Sequence, residues 1–324
     1  MDIIKGEGIR VDLREMAKGP GPYTMSYEFD LNGLCESIEK AGLINPPLVA
    51  RNQTGSLDIV TGFRRILALK NLGECEALCR DVTTALPSPA DRFLVAFYDN
   101  LATRAFNNIE KAMILSKLRQ LVPDEQVVNS FMPLLSLPSR EGTLKFYLKL
   151  LDLDGPVQKA VAREEISIKA AKAFADMETN SREALFHWVT VLKFNINQQI
   201  NFIENVSDIS IREGLTTREL LSEDSFMKLV ENPSLNTPQK AKAVLEALKM
   251  RRLPRLAQAQ EAVARTVKAI QMPPGTSIHY DPYLEDPNYR LEVKFRSGKD
   301  LRMAINRLHA LNELEAIPEL WADI

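Results

Sequence analysis

Cysteine and histidine are scarce in this chain of 324 residues, three of each, and their positions remove whole classes of chemistry. Cys35, Cys75 and Cys79 are an odd number with no histidine close by, which fits neither a disulfide framework nor a zinc site. They are expected to be reduced, mostly buried thiols. His187, His279 and His309 lie far apart along the chain, so a histidine-centred active site is not expected. No apolar run reaches the ~18 residues that a membrane span needs, and the start lacks the charged-then-apolar pattern of a secretion signal. The expectation is a cytoplasmic protein with no membrane partner. An excess of one charge is missing too: 41 Lys and Arg face 43 Asp and Glu. With no global field to draw in a polyanion, any nucleic-acid site must come from local clustering of basic residues. What the chain does have is apolar material. At 45% hydrophobic and 26% charged, it can fill two or three ordinary domains.

The stretch from Leu57 to Leu72, LDIVTGFRRILALKNL, concentrates the chemistry. Leu57, Ile59 and Val60 read as a short buried strand, Thr61 and Gly62 as the turn that ends it, and Ile66, Leu67 and Leu69 as the apolar side of a following helix. Arg64 and Arg65 then sit at a helix N-terminus, where amide groups and the helix dipole already favour an anion, and their forked donors suit phosphate oxygens. An arginine pair at such a turn is also an ordinary surface feature.

The neighbouring segments build a small α+β unit around this turn. Residues 1–30, with Gly19-Pro20-Gly21-Pro22, read as an extended lead-in that packs on the domain. Leu34, Ile38 and Leu43 recur at helical spacing until Gly42 supplies a C-cap. Pro46-Pro47 fixes an extended backbone into a strand at Leu48-Val49-Ala50. Glu76 to Val82 gives another strand, and Pro87 and Pro89 precede a helix from Ala90 to about Leu101. Asp99-Asn100 near its end offers hard oxygens of the kind Mg²⁺ takes with substrate phosphates, although Asp and Asn also serve as plain helix caps.

Residues 105–232 read as almost entirely helical. Val127, Val128 and Phe131 form a short helix, Leu135-Ser136-Leu137-Pro138 a turn, and Ser139 is placed to cap a second helix through Leu144, Leu148 and Leu151. The spacing fits a helix-turn-helix that presents Arg140, Lys145 and Lys149 toward a major groove; it also fits two ordinary packed helices. From Asn232 the composition shifts. Thr237 can cap, and Pro238 can open, a helix whose Lys240, Lys242, Lys249, Arg251 and Arg252, with Arg255 beyond, suit either non-specific phosphate contact or a solvated face. Tyr289, Leu291, Val293 and Phe295 alternate with charged residues as a half-buried strand, followed by a helix with Leu301, Ala304, Ile305, Leu308 and Leu311 on one side. A lone strand and an apolar stripe need partners, and the same segment of a second chain is the simplest.

Three stretches taken together resemble the ParB/RepB/Spo0J family of partition proteins: Gly42-Leu43-Ile44-Asn45-Pro46-Pro47, Thr61-Gly62-Phe63-Arg64-Arg65-Ile66-Leu67-Ala68, and Asp99-Asn100-Leu101 followed by Asn107 to Ala112. The segments Leu144–Leu153, Val157–Val161, Ile166-Ser167-Ile168 and Ala170–Phe174 resemble that family's DNA-binding domain. The resemblance implies a ParB/sulfiredoxin-like α+β domain at 1–104, a mainly α helix-turn-helix domain at 105–232, a basic helical connector at 233–272 and a small C-terminal βα dimerisation element at 273–324. It implies a CTP pocket with Mg²⁺, in which Asn45, Thr61, Gly62, Arg64, Arg65 and Asn100 bind nucleotide, Asn100 meets the metal and Asp99 serves hydrolysis as a weak CTPase. It implies DNA contact by Arg140, Lys145 and Lys149, a homodimer, association with nucleoid or plasmid, and a ParA-type partition ATPase as partner. The function implied is a CTP-switched clamp in plasmid or chromosome segregation; the alternative is a DNA-binding regulator or adaptor with the same fold and no turnover. The chain departs from the family pattern at Asn45, Phe63, Asp99 and Thr103, with Arg104 one position beyond the family's arginine. These departures leave the phosphate-binding arginines in place and touch the side chains tied to turnover.

Overall fold

The structure, a computed structural model, describes residues 6–16, 19–281, 286 and 288–317. Its backbone contacts group into two compact units, Met1–Met177 and Glu178–Ile324. The division falls inside the stretch 105–232 that the sequence reading joins into one helical domain.

In the first unit a four-stranded sheet carries the cleft described below. Its strands are β1 (Glu7–Asp12), β2 (Leu48–Arg51), β3 (Leu57–Thr61) and β4 (Glu76–Asp81), in the order β1-β4-β2-β3. β4 runs antiparallel to β1 and parallel to β2, and β2 pairs antiparallel with β3. β1 makes part of the expected extended lead-in a paired strand of the sheet. Val11 of β1 and Leu13 just beyond it are buried with Val49, Ile59, Ala77 and Cys79 in one core, against which Ile9 packs, and the two-residue spacing of Ile9, Val11 and Leu13 is a strand's period. Of the thiols only Cys79 is buried; Cys35 is half-buried and Cys75 exposed. Burial pushes the Cys79 thiol up to about 11, so it is protonated and inert at neutral pH.

The helices of this sheet region are α1 (Asn32–Ala41), α2 (Phe63–Asn71) and α3 (Pro89–Thr103). α1 ends at Gly42, whose φ of 72° closes the helix as expected, and α2 buries Ile66, Ala68 and Leu69. Ser88 caps α3 through the Asp91 amide. α4 (Asn108–Leu118) follows, opened by a reciprocal capping box between Asn107 and Glu110. It buries Ile109, Ile114, Leu115 and Leu118.

Next come α5 (Asp124–Gln126), a π-helical turn at Val127–Phe131, α6 (Glu141–Lys149), α7 (Gly155–Ala162) and α8 (Ile168–Ala175). The chain reverses at Ser136, in left-handed geometry with φ 57°. Ser139 does not cap α6: Arg140 holds the cap position and makes no side-chain capping bond. Tyr147 on α6 donates to Asn108 Oδ1 at 2.9 Å, tying α6 to the start of α4. On α7, Lys159 and Arg163 just past its end both reach Glu28, at 3.6 and 2.7 Å.

The second unit is helical through α9 (Thr179–Leu192), α10 (Ile196–Glu213), α11 (Thr217–Leu221), α12 (Asp224–Glu231), α13 (Thr237–Arg252) and α14 (Pro254–Ala269). Asn236, not Thr237, caps α13, in a capping box with Gln239, and Pro238 sits in the first turn as expected. At the end of α13, Arg251 and Arg252 are not bare surface cations, since acidic side chains of the same unit hold both. Arg251 bridges Glu213 at 2.6 Å and Glu223 at 2.5 Å. Arg252 pairs with Asp208 and donates to Asn205 Oδ1. Arg212 on α10 donates to the carbonyls of both Arg251 and Arg252, each at 2.6 Å, which satisfies the open end of the helix.

This network sets a pH dependence. Hydrogen bonds from Arg251 and then Arg212 draw the Glu213 carboxyl down to about 2 from its ordinary 4.5, and Arg251 also lowers Glu223. A lowered folded-state value means the stabilisation is complete above the unfolded value of ~4.5 and is lost as pH falls toward 2. The urea midpoint of the wild type is therefore expected to fall between these two values. Arg251→Met should be less stable than the wild type at pH 7, and the gap should close as pH approaches 2. A gap of constant size across that range would remove the network from the account.

The C-terminal part holds β5 (Thr276–His279), β6 (Arg290–Val293) and α15 (Gly298–His309). The expected strand is not alone: β5 pairs with it antiparallel, Thr276 opposite Val293. Ser297 caps α15, which buries Leu308 and leaves Met303 and Ile305 about half exposed.

Candidate functional site

A cleft of about 520 Å³ opens in the first unit at the β3-to-α2 turn, and the residues expected from sequence to bind nucleotide, Asn45, Thr61, Gly62, Arg64, Arg65 and Asn100, all line it together with Asp99. Three things build it. Pro46 and Pro47 bring the chain past the turn. Gly62, with φ 90°, lets β3 bend sharply into α2. The loop Tyr23–Ser26 closes the remaining side. α2 starts with no side chain capping its first amides, the situation in which a helix N-terminus accepts an anion.

The arginines differ in their surroundings. Arg65 donates through Nη1 to the Asn45 carbonyl at 2.5 Å and sits 3.8 Å from Asp99. Arg64 donates through Nη2 to Glu110 at 2.8 Å and through Nε to Ser26 at 3.0 Å, and its guanidinium lies 4.6 Å from the centre of the Phe29 ring. Burial pulls Arg64 below its usual value, with Arg104 adding to the effect, and burial does the same to Arg65. Both stay protonated at neutral pH, and a phosphate would relieve the cost of holding them there.

Sequence reasoning left the role of Arg104 open and missed Glu110, Ser26 and Phe29. Arg104 enters the cleft lining and donates through Nη1 to Glu110 at 2.6 Å, through Nε to Asn100 Oδ1 at 2.9 Å and through Nη2 to the Met25 carbonyl at 3.0 Å. Glu110 is 1% exposed and thus faces two guanidiniums at once. Its capping-box spacing from Asn107 was the available signal, and that spacing explains only half of what the carboxylate does.

A nucleoside triphosphate fits this donor set: the guanidiniums of Arg64 and Arg65, with Arg104 bracing the wall, meet an uncapped helix start at one turn. Mg²⁺ at Asn100 does not. Asn100 Oδ1 accepts from Arg104 and Nδ2 donates to the Ala96 carbonyl at 2.8 Å, so a cation there would lie against a guanidinium. Asp99 is held opposite Arg65, and among the described residues no group of three or more His, Cys, Asp and Glu side chains could hold a metal ion.

The residues expected at DNA stand apart from the cleft, on and beside α6. Arg140, Lys145 and Lys149 are all exposed. Two of them have acidic neighbours: Lys145 lies 3.8 Å from Glu141, and Lys149 lies 2.6 Å from Asp176. The positive footprint is thinner than three basic residues suggest.

No protein-family model matches the chain. Among curated proteins it is similar to the nucleoid occlusion protein of Bacillus licheniformis, 24% identical over 210 residues, which cover 63% of this chain and 70% of that protein. It is also similar to the probable chromosome-partitioning protein ParB of Campylobacter jejuni, 24% identical over 231 residues, covering 70% of this chain and 78% of that protein. Among solved structures, the C-terminally truncated ParB from Caulobacter crescentus complexed with CTP-gamma-S aligns at 20% identity and a TM-score of 0.26, over 53% of this chain and 93% of that one. In sequence, the chain is similar to ParB chromosome-partitioning and nucleoid occlusion proteins.

Proposed function

We propose that the chain is a ParB-like DNA-binding protein whose Gly62 cleft takes a nucleoside triphosphate, CTP being the one its family resemblance implies, and that the nucleotide switches a dimeric clamp in plasmid or chromosome segregation. The observation that carries the reading is the convergence of Arg64, Arg65 and Arg104 on the uncapped start of α2. A triphosphate arriving there competes with Asp99 for Arg65 and meets the outward side of Arg64, while Gly62 lets the backbone approach. DNA is taken by α6 through Arg140, Lys145 and Lys149. Two copies join through the C-terminal element, where Leu291 and Phe295 are about half exposed, as are Met303 and Ile305 on α15.

Thermal unfolding with CTP, ATP, GTP or UTP and Mg²⁺ tests the nucleotide half. CTP should raise the midpoint, since a ligand at 100 times its Kd stabilises by about 2.7 kcal/mol. Arg65→Ala should weaken the affinity at least tenfold, in keeping with ~1.5–3 kcal/mol for a charge-assisted hydrogen bond. If none of the four stabilises the wild type, the reading is wrong.

One observation favours the second reading, a regulator or adaptor that binds nucleotide without consuming it. Phe63 packs against the sheet core, Asp99 pairs with Arg65, and Glu110 is engaged by two arginines. Each carboxylate of the cleft lining or directly behind it has a cation beside it, which is a poor arrangement for activating water. The ParA-type ATPase belongs to the first reading only.

A further inference from the structure

We infer that Glu110 is the positioning residue of the cleft, its buried carboxylate holding Arg64 and Arg104 in the orientation in which Arg64 can donate to a phosphate; this rests on the cleft's being the anion site proposed above. The carboxylate receives four donors. Oε1 accepts from Arg64 Nη2 at 2.8 Å and from the Tyr27 amide at 3.1 Å. Oε2 accepts from Arg104 Nη1 at 2.6 Å and from the Asn107 amide at 3.1 Å. Both of its oxygens are therefore divided between backbone and guanidinium.

Two guanidiniums at one partly buried place repel each other and resist leaving water. A single carboxylate between them offsets both effects, provided its oxygens are satisfied, as these are. Glu110 lies behind the arginines, at 1% exposure, while the Arg64 and Arg104 side chains keep 29% and 16% of theirs. Arg64 is further fixed by Ser26 and by the face of Phe29, so that Nε and Nη2 are engaged within the protein while the side chain lines the cleft. Arg104 spends its donors on Asn100, Met25 and Glu110, so it braces the wall while Arg64 presents the contact. The same carboxylate anchors the loop that closes the cleft, through the Tyr27 amide, and Asn107 Nδ2 holds the Tyr27 carbonyl at 2.8 Å. A side chain that only capped α4 would need none of the arginine bonds.

The sign of one measurement separates positioning from simple electrostatics. Removing a negative charge beside an anion site strengthens anion binding by Coulomb's law alone; removing the group that orients the arginines weakens it. Glu110→Gln keeps an oxygen that can complete the capping box and loses the charge. Calorimetric titration of CTP with Mg²⁺ into the full chain should give a Kd at least tenfold weaker for Glu110→Gln. In an Arg64→Gln background the same change should have no more than a twofold further effect. Glu110→Asp, which keeps the charge and withdraws it by one methylene, should also weaken binding tenfold, and it carries the test if the Gln variant does not fold. Glu110→Gln binding as tightly as the wild type or tighter, or an effect additive with Arg64→Gln, overturns the inference while leaving the nucleotide reading intact. A wild type that binds no CTP brings down both.

Discussion

Gly62→Ala is expected to lose triphosphate binding by at least tenfold and to lower the stability of the ligand-free chain by about 1–3 kcal/mol, the range for a residue forced into a sparsely populated backbone conformation. Gly62 has φ 90°, and a Cβ built on it would stand 3.0 Å from both Cα and Cβ of Pro47 and 3.2 Å from Arg65 Nε. Pro47 cannot easily retreat. Its ring fixes its backbone, and its carbonyl accepts the Arg80 amide at 2.9 Å at the junction of β2 with β4. The strain must then be taken up by the turn itself, which rotates the first amides of α2 away from the cleft, or by Arg65, which leaves the Asn45 carbonyl. Either route damages the anion site. Urea unfolding without ligand and titration with CTP read the two effects separately. An alanine variant with wild-type affinity would show that the backbone at Gly62 does not contribute to the site.

Phe97→Ala should cost the first unit about 3–5 kcal/mol, the usual range for emptying a buried aromatic site. Phe97 is fully buried on α3. It lies edge-on to Phe131 at 5.9 Å and stacks with Phe106 at 6.3 Å, so one ring joins the helix that bears Asp99 and Asn100 to the π-helical turn before α6. Domains are commonly stable by only ~5–15 kcal/mol, and such a loss is a large share of that. The expected result is a clear fall in the urea midpoint by circular dichroism, with Phe97→Leu retaining most of the stability because it fills more of the space. An unchanged midpoint for the alanine variant would mean that the site collapses without penalty.

What could be read from the sequence was local. β2, β3 and β4 announce themselves by short apolar runs between turn residues, and α1 by its spacing and Gly42. The cleft residues are legible for the same reason, since Thr61 to Arg65 form one continuous turn. What escaped depends on partners far along the chain. Glu110 meets Arg64 across 46 residues, so its sequence neighbourhood reveals a helix cap and nothing of the ion pair. Arg251 finds Glu213 and Glu223, 38 and 28 residues back, and without them its surroundings read as a basic surface. β1 was legible and misread: the proline and glycine run that follows it outweighed the alternation of Ile9, Val11 and Leu13.

The π-helical turn at Val127–Phe131 bears on how the buried side of this segment is kept facing inward. The Met132 amide reaches back five residues to the Val127 carbonyl, one more than an α-helix allows. Each residue of an α-helix advances ~100° around the axis, so one additional residue shifts all that follows by that angle unless the turn widens to absorb it. Here it does, and Val127, Val128, Phe131, Met132 and Leu135 all remain buried. The widened turn thus keeps the buried side continuous into the chain reversal before α6, and adding or deleting one residue within it would turn Phe131 and Met132 out of register with that side.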